Sequence, residues 1–272
     1  MMGHTKHLLI LLYWLLISMP LHAKPHADSL YDKVIANPVT DPNIIVTVND
    51  LVVTRLAAET MLIAINKGKQ SLTLDQLVQG IIENQLIADH SKKHIGLKNV
   101  MPESLVDYEL DVALEDQYIS IINLAYNKQI HEFIEVSMKQ NDMESWVEKP
   151  RSFTAKELSQ YTKLKSKGNL QLIDQQREAA KSLVLTKYHF PRDQAATITL
   201  WDIYRRQNIQ GKDQLHQANN DFLQTEIRKR INSKLIDYWA RQHSPLNESD
   251  LKSIKTIIFN KHQKQRYLAT QG

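Results

Sequence analysis

Residues 44–64 read IIVTVNDLVVTRLAAETMLIA, and residues 74–97 read LDQLVQGIIENQLIADHSKKHIGL. Ile44 to Val48 is β-branched throughout, Asn49-Asp50 is a turn dipeptide, and Leu51-Val52-Val53 resumes the extended pattern. A small hairpin or strand-turn is expected there. Thr54 is placed to cap a helix over Arg55 to Lys67, which Gly68 ends. Thr73-Leu74-Asp75-Gln76 is a capping box, and Leu74, Leu77, Val78, Ile81, Ile82 and Leu86 keep helical spacing up to a stop at Gly96.

Working outward, the helical signal continues. Pro102 suits a first helical position, and Leu105, Tyr108, Val112, Tyr118, Ile121, Ile122, Ala125, Phe133 and Ile134 extend the period to about Met138. Thr154-Ala155-Lys156-Glu157 is a second capping box, closed by Gly168. Leu170 to Tyr188 reads as an amphipathic helix that stops before Pro191. Asn247 caps a closing helix to about Tyr267, with Leu246 and Leu251 as a hydrophobic staple. The expected fold is therefore mainly α, multi-helical, with one or two very short β segments.

Composition agrees. The chain has 272 residues, 42% hydrophobic, with seven glycines, no cysteine and a formal charge of +4. That is enough apolar material for a core, and too near charge balance, with basic residues spread along the chain, for a nucleic-acid footprint. The lack of cysteine removes disulfides, thiolate sites and lipoprotein acylation.

The amino end points to export. Met1 to His7 carry one lysine and two histidines, Leu8 to Ile17 is an unbroken apolar run, and Ser18-Met19-Pro20 breaks it before Leu21-His22-Ala23. This is the order of a secretory signal peptide cleaved after Ala23. Ten apolar residues cover only ~15 Å of helix, about half a bilayer core. Leu21 is a less favoured cleavage residue, which leaves an uncleaved anchor as the other reading. The short basic start suits a bacterial signal, so the expected location is the periplasm, with no membrane span in the mature chain. The expected organisation is 1–23 signal peptide, 24–43 leader, 44–140 helical module, 141–195 helical connecting segment and 196–272 carboxyl-terminal helical region packing on the module.

The last third echoes the first. Val46-Thr47-Val48 precedes Asp50-Leu51 as Ile198-Thr199-Leu200 precedes Asp202-Ile203. Gln85-Leu86-Ile87 leads to His94 and Leu97 as Lys234-Leu235-Ile236 leads to His243 and Leu246. A degenerate repeat produces such matches; so does coincidence among amphipathic helices rich in Leu and Ile.

The stretch 44–97 resembles the amino-terminal chaperone module of SurA-like periplasmic foldases. Val46, Val48, Asn49, Asp50, Val53 and Thr54 match that family's strand-turn motif, with Asp50 in place of the usual glycine. Ile81, Ile82, Leu86, Ile87, Gly96 and Leu97 match its helical core and cap. The resemblance implies a binding protein for unfolded or exported polypeptides, completed by carboxyl-terminal helices. The family's parvulin prolyl-isomerase domain, about 90 residues of glycine-punctuated α and β with a histidine pair, has no visible counterpart, since 102–192 reads as helix throughout.

Residues that bear on chemistry are few. His90 and His94 stand at i, i+4 with Asp89 beside them, without third and fourth metal ligands, so no metal or cofactor is expected. Glu132 and Glu135, or Asp107, Glu109 and Asp111, have the composition of acid–base pairs and the spacing of solvated helix faces. No catalytic residue is assigned. Candidate peptide-binding side chains are Tyr118, Ile122, Tyr126, Phe133 and Met138, with Trp201 and Tyr204 from the aromatic and basic string Trp201–Gly211; core packing is the alternative for each. Tyr238 and Trp239 are expected to join the Trp201 corner. Lys255, Lys261, Lys264 and Arg266 form a basic tail suited to solvent, anionic lipid or an acidic partner. Three functions stand side by side: a chaperone without catalysis, a foldase with a degenerate isomerase domain, which strands between 102 and 195 would favour, and a dedicated assembly partner of one exported protein.

Overall fold

A computed structural model describes residues 41–68, 71–94, 103–140, 142–161, 164–166, 169–172 and 174–269. The signal peptide, nearly all of the leader, and the expected punctuation at Gly96, Pro102 and Gly168 lie outside these residues. Among the described residues the protein is mainly α, with ten helices and six short strands paired into three two-stranded antiparallel sheets. Its described residues divide into two compact units, those within 41–127 and 239–269, and those within 128–238. The changeovers fall at 127/128 and 238/239 rather than at the expected 140/141 and 195/196.

In the first unit, β1 (Ile44–Val48) and β2 (Leu51–Thr54) form the hairpin read from the sequence, with Val48 opposite Leu51 and Asn49-Asp50 as its turn. Asn49 takes φ 50°, a left-handed conformation that asparagine tolerates better than most residues. Helix α1 (Arg55–Lys67) begins where Thr54 Oγ1 accepts the Ala57 N–H at 3.3 Å, and ends on the Gly68 N–H bonded to Ile65. Helix α2 (Leu74–His94) opens with the expected reciprocal box: Gln76 N–H donates to Thr73 Oγ1 and Thr73 N–H to Gln76 Oε1.

The unit is completed by the first part of α3 (Glu103–Lys139), the last residues of α9 (Asn220–Gln242) and α10 (Glu248–Ala269). Asn247 and Asp250 exchange side-chain and backbone hydrogen bonds at 3.0 and 2.8 Å, and both staple residues, Leu246 and Leu251, are buried. Helix α10 lies along α2 and also packs on α1 and β2. Ala57, Ala58 and Ala64 let α1 pack closely, while Ile81, Ile122, Ile254 and Ile258 fill the core. Each such isoleucine contributes about 1.5–3 kcal/mol of burial.

The second unit departs from the sequence reading. After the end of α3 come α4 (Asp142–Trp146), α5 (Ala155–Ser159), β3 (Leu164–Ser166), β4 (Asn169–Leu172), α6 (Asp174–Ser182), β5 (Val184–Tyr188), β6 (Ala196–Thr199), α7 (Leu200–Tyr204), α8 (Ile209–His216) and most of α9. The expected continuous helix over 170–188 is a strand, a nine-residue helix and a second strand. Its apparent helical period joined the polar run of α6 to the β-branched and aromatic residues of β5. Residues 146–151 pair along the far side of β5, through His189 N–H to Trp146 O, Glu148 N–H to Lys187 O and Arg151 N–H to Leu185 O. Pro150, which has no N–H to give, sits on that outer segment, where proline is tolerated.

The core of this unit gathers Phe153, Leu158, Leu185, Ile198, Leu200 and Tyr204 with residues of α8 and α9. Asn220 stands in for a neighbouring strand, its side chain accepting the Phe153 N–H and donating to the Phe153 carbonyl. The proposed repeat does not superpose element on element at its first match. Asp50 is a hairpin turn residue, whereas Asp202 is the third residue of α7 and closes a capping box with Thr199.

Candidate binding groove

The candidate residues fall in four settings. Tyr118, Ile122 and Tyr126 are buried in the first unit, where Tyr126 bonds Thr60 and packs its ring 5.4 Å from Trp239. Trp201 and Tyr204 stack at 6.2 Å in the core of the second unit, and the Tyr204 hydroxyl meets His216 Nε2 at 3.1 Å. Burial pushes the Tyr204 phenol well above its ordinary value. Phe133 belongs to a separate aromatic cluster of that unit with Trp146, Tyr188, Phe190 and Tyr238. Met138 alone of the seven is open to solvent, at 62% exposed. Buried rings hold elements together and are not available to a ligand in this conformation. Tyr238 and Trp239 also part company: the first joins the Phe190 cluster and the second packs on Tyr126, so neither belongs to the Trp201 corner.

The polar candidates are engaged elsewhere. Asp89 accepts from Asn49 and Gln85 and faces Lys92, and the His90 ring meets Tyr267 edge-on; the His94 side chain lies outside the described residues. Among the described residues, no three His, Asp or Glu side chains gather where they can hold a metal ion. Glu132 and Glu135 are exposed and face Lys128 and His131 one turn away; Asp111 is exposed, and the side chains of Asp107 and Glu109 lie outside the described residues. The basic tail is not one patch. Lys255 lies over the Tyr118 ring, Lys264 pairs with Glu83 at 3.9 Å, and burial, with the Lys264 charge, pushes the Lys261 ammonium down to about 7. No helix among the described residues is long and apolar enough to cross a membrane.

Among the described residues, an open recess lies in the first unit, in the segment read from the sequence as a staple, a closing helix and, at Lys255, part of a basic tail. An open groove of about 740 Å³ runs along one face of α10, lined by Leu251, Lys252, Lys255, Thr256 and Phe259. Leu246, Asn247 and Glu248 close one end together with Arg241 and Gln242 from α9, and Leu114 of α3 faces it. Its spacing follows from the helix period: positions 251, 255 and 259, each four residues apart, share a face. Leu251 to Phe259 spans ~12 Å of helix, the reach of about four residues of extended chain. The lining is part aliphatic and aromatic, part cationic and amide-bearing. Its polar lining is one hydroxyl, Thr256, one carboxylate, Glu248, the amides Gln242 and Asn247, and the cations Arg241, Lys252 and Lys255.

Comparison with family models, curated proteins and solved structures returned no match.

Proposed function

We propose that this chain is a periplasmic, SurA-like binding protein that holds unfolded or immature exported polypeptides without covalent chemistry. The observation that carries the reading is the groove on α10, with the half-buried Leu114 and Phe259 as the apolar side chains it leaves accessible. An apolar lining with a few polar groups takes side chains by size and hydrophobicity rather than by sequence, as a holder of many clients requires. The export-type amino end and the likeness of residues 44–97 to the SurA chaperone module support the same reading, as does the packing of α10 on α2 and the hairpin.

The test uses the purified full chain and a chemically unfolded client diluted into buffer, followed by light scattering. Suppression of aggregation that saturates at a fixed ratio, and that Phe259→Ala weakens, is the expected result. No suppression at any ratio removes general client binding.

A second reading has one observation in its favour. Strands β3 to β6 make the 128–238 unit a mixture of α and β, as an isomerase-related domain requires. Its histidines, however, go to separate places: His131 faces Glu135, His189 holds Trp146 through its backbone, and His216 meets Tyr204. Acceleration of cis–trans exchange in a proline-containing peptide would move the assignment to this second reading.

A further inference from the structure

The lining of the α10 groove carries Arg241, Lys252 and Lys255 against a single carboxylate, Glu248. Lys252 and Lys255 are both exposed and stand three residues apart on one helix, a spacing at which like charges repel. Lys252 makes no ion pair among the described residues. Lys255 places its ammonium 4.5 Å from the centre of the Tyr118 ring, so a buried aromatic rather than an acid sets its position. Two exposed cationic side chains thus line the same groove as its apolar side chains, and an incoming carboxylate would relieve their repulsion.

We propose that the groove selects extended polypeptide segments in which an apolar side chain is flanked by aspartate or glutamate. This rests on the polypeptide-holding reading above and names its preferred client. The apolar side chain fills the space between Leu114, Leu251 and Phe259, and the neighbouring carboxylates meet Lys252 and Lys255. An anionic bilayer is the poorer fit, because Leu246 and Leu251 are buried. A membrane-binding face needs its apolar side chains to project.

The experiment measures fluorescence anisotropy with the full chain and three labelled peptides, acetylated and amidated, sharing one Leu-Phe-Leu core. Their flanks are Asp/Glu, Asn/Gln or Lys. The acidic peptide is expected to bind about tenfold more tightly than the lysine-flanked one at low salt, the gap closing at high salt as exposed charges are screened. Lys252→Gln with Lys255→Gln should abolish the ranking and keep binding of the neutral peptide; Lys252→Glu with Lys255→Glu should invert it. Lys252→Gln alone leaves the Tyr118 contact intact and should narrow the gap, with circular dichroism reporting the fold of each variant. Equal binding of all three peptides, or a ranking unmoved in the glutamine variants, overturns the proposal while leaving polypeptide holding in place. Failure of every peptide, the neutral one included, sinks the polypeptide reading and this proposal with it. Binding to phosphatidylglycerol vesicles without peptide binding, lost in the same variants, overturns it in favour of a membrane.

Discussion

Asn49 Nδ2 donates to Asp89 Oδ2 across 2.6 Å, and so ties the hairpin turn to α2. The same oxygen accepts from Gln85 Nε2 at 2.7 Å, and Gln85 Oε1 accepts from Asn260 on α10. One line of amides therefore fixes hairpin, α2 and α10 against each other. The buried pair among them, Gln85 with Asn260, favours one register of α2 on α10 where apolar contacts alone would permit sliding.

Asn49 serves twice, as a left-handed turn residue and as a donor to a carboxylate. Asn49→Gly keeps the conformation and loses the hydrogen bond; Asn49→Ala loses both. A hydrogen bond to a charged group is worth about 1.5–3 kcal/mol, and the left-handed conformation costs a residue with Cβ about 1 kcal/mol. The alanine variant should unfold at lower urea than the glycine variant, and both below wild type. Equal midpoints for the two would show that backbone strain at Asn49 contributes nothing.

Tyr126 interrupts the helical geometry of α3, at φ −118° and ψ 24°. Its hydroxyl lies 2.9 Å from Thr60 Oγ1, and Thr60 is buried. Tyr126→Phe strands that hydroxyl and should cost about 1–3 kcal/mol. Thr60→Val should cost a similar amount, and the double variant less than the sum, because no buried polar group is then left unpaired. Urea unfolding followed by tryptophan fluorescence reads this directly, since Trp239 packs on Tyr126. Strict additivity would mean that the two hydroxyls do not depend on each other.

What the sequence revealed was what neighbouring residues decide. The 44–54 hairpin, the Thr54 and Thr73 caps, Gly68 and the Asn247 cap with its Leu246–Leu251 staple each rest on residues within a few positions. The strands of the second unit were hidden because β5 is fixed by a distant partner, residues 146–151, and by Pro150 on the outer edge. The candidate site was hidden for a similar reason. Tyr118, Ile122 and Tyr126 show the spacing of an apolar face, which does not distinguish a groove from a core. Lys255 stood in the basic tail and Leu251 in the staple, but only the packed helices bring them together around a recess. Gln85 and Asn260, polar residues on opposite helices, gave no local sign that they would meet.

Lys261 and His262 give the stability a pH dependence of definite sign. Burial, then the charge of Lys264, lowers the Lys261 pKa to about 7; burial, then Lys261, lowers that of His262. His262 also meets Gln117 Oε1 at 2.9 Å. Both are bases less willing to be charged in the folded chain, so the unfolded chain binds more protons between the folded and unfolded values. The Lys261 contribution is therefore complete above its unfolded value of ~10.4 and is lost as pH falls to about 7, below which it is constant. His262 adds a further loss as pH falls below ~6.5. Lys261→Met should gain melting temperature relative to wild type as pH drops from 10 to 7, with no further gain from Lys261 below that. A difference that stays flat from pH 10 to 7 would mean that the ammonium reaches water.

Gly211, the third residue of α8, has its N–H capped by Asn208 Oδ1 at 2.9 Å. A Cβ there would run into Gln207 Oε1 and crowd Gln207 Cβ and Cδ at 3.1 and 3.2 Å. Gln207 cannot yield without loss, because its Nε2 donates to the Ile203 carbonyl at 3.2 Å and to Glu226 Oε2 at 2.9 Å. Alanine in a helix gains about 1 kcal/mol over glycine, while losing the bond to Glu226 costs about 1.5–3 kcal/mol. Gly211→Ala should therefore destabilise by about 1 kcal/mol on balance. With Gln207→Gly as the background the obstruction is gone, only the helix preference remains, and the same substitution should stabilise. Urea midpoints of the four proteins in this cycle test the reversal; Gly211→Ala stabilising in both backgrounds would show that Gln207 moves aside freely.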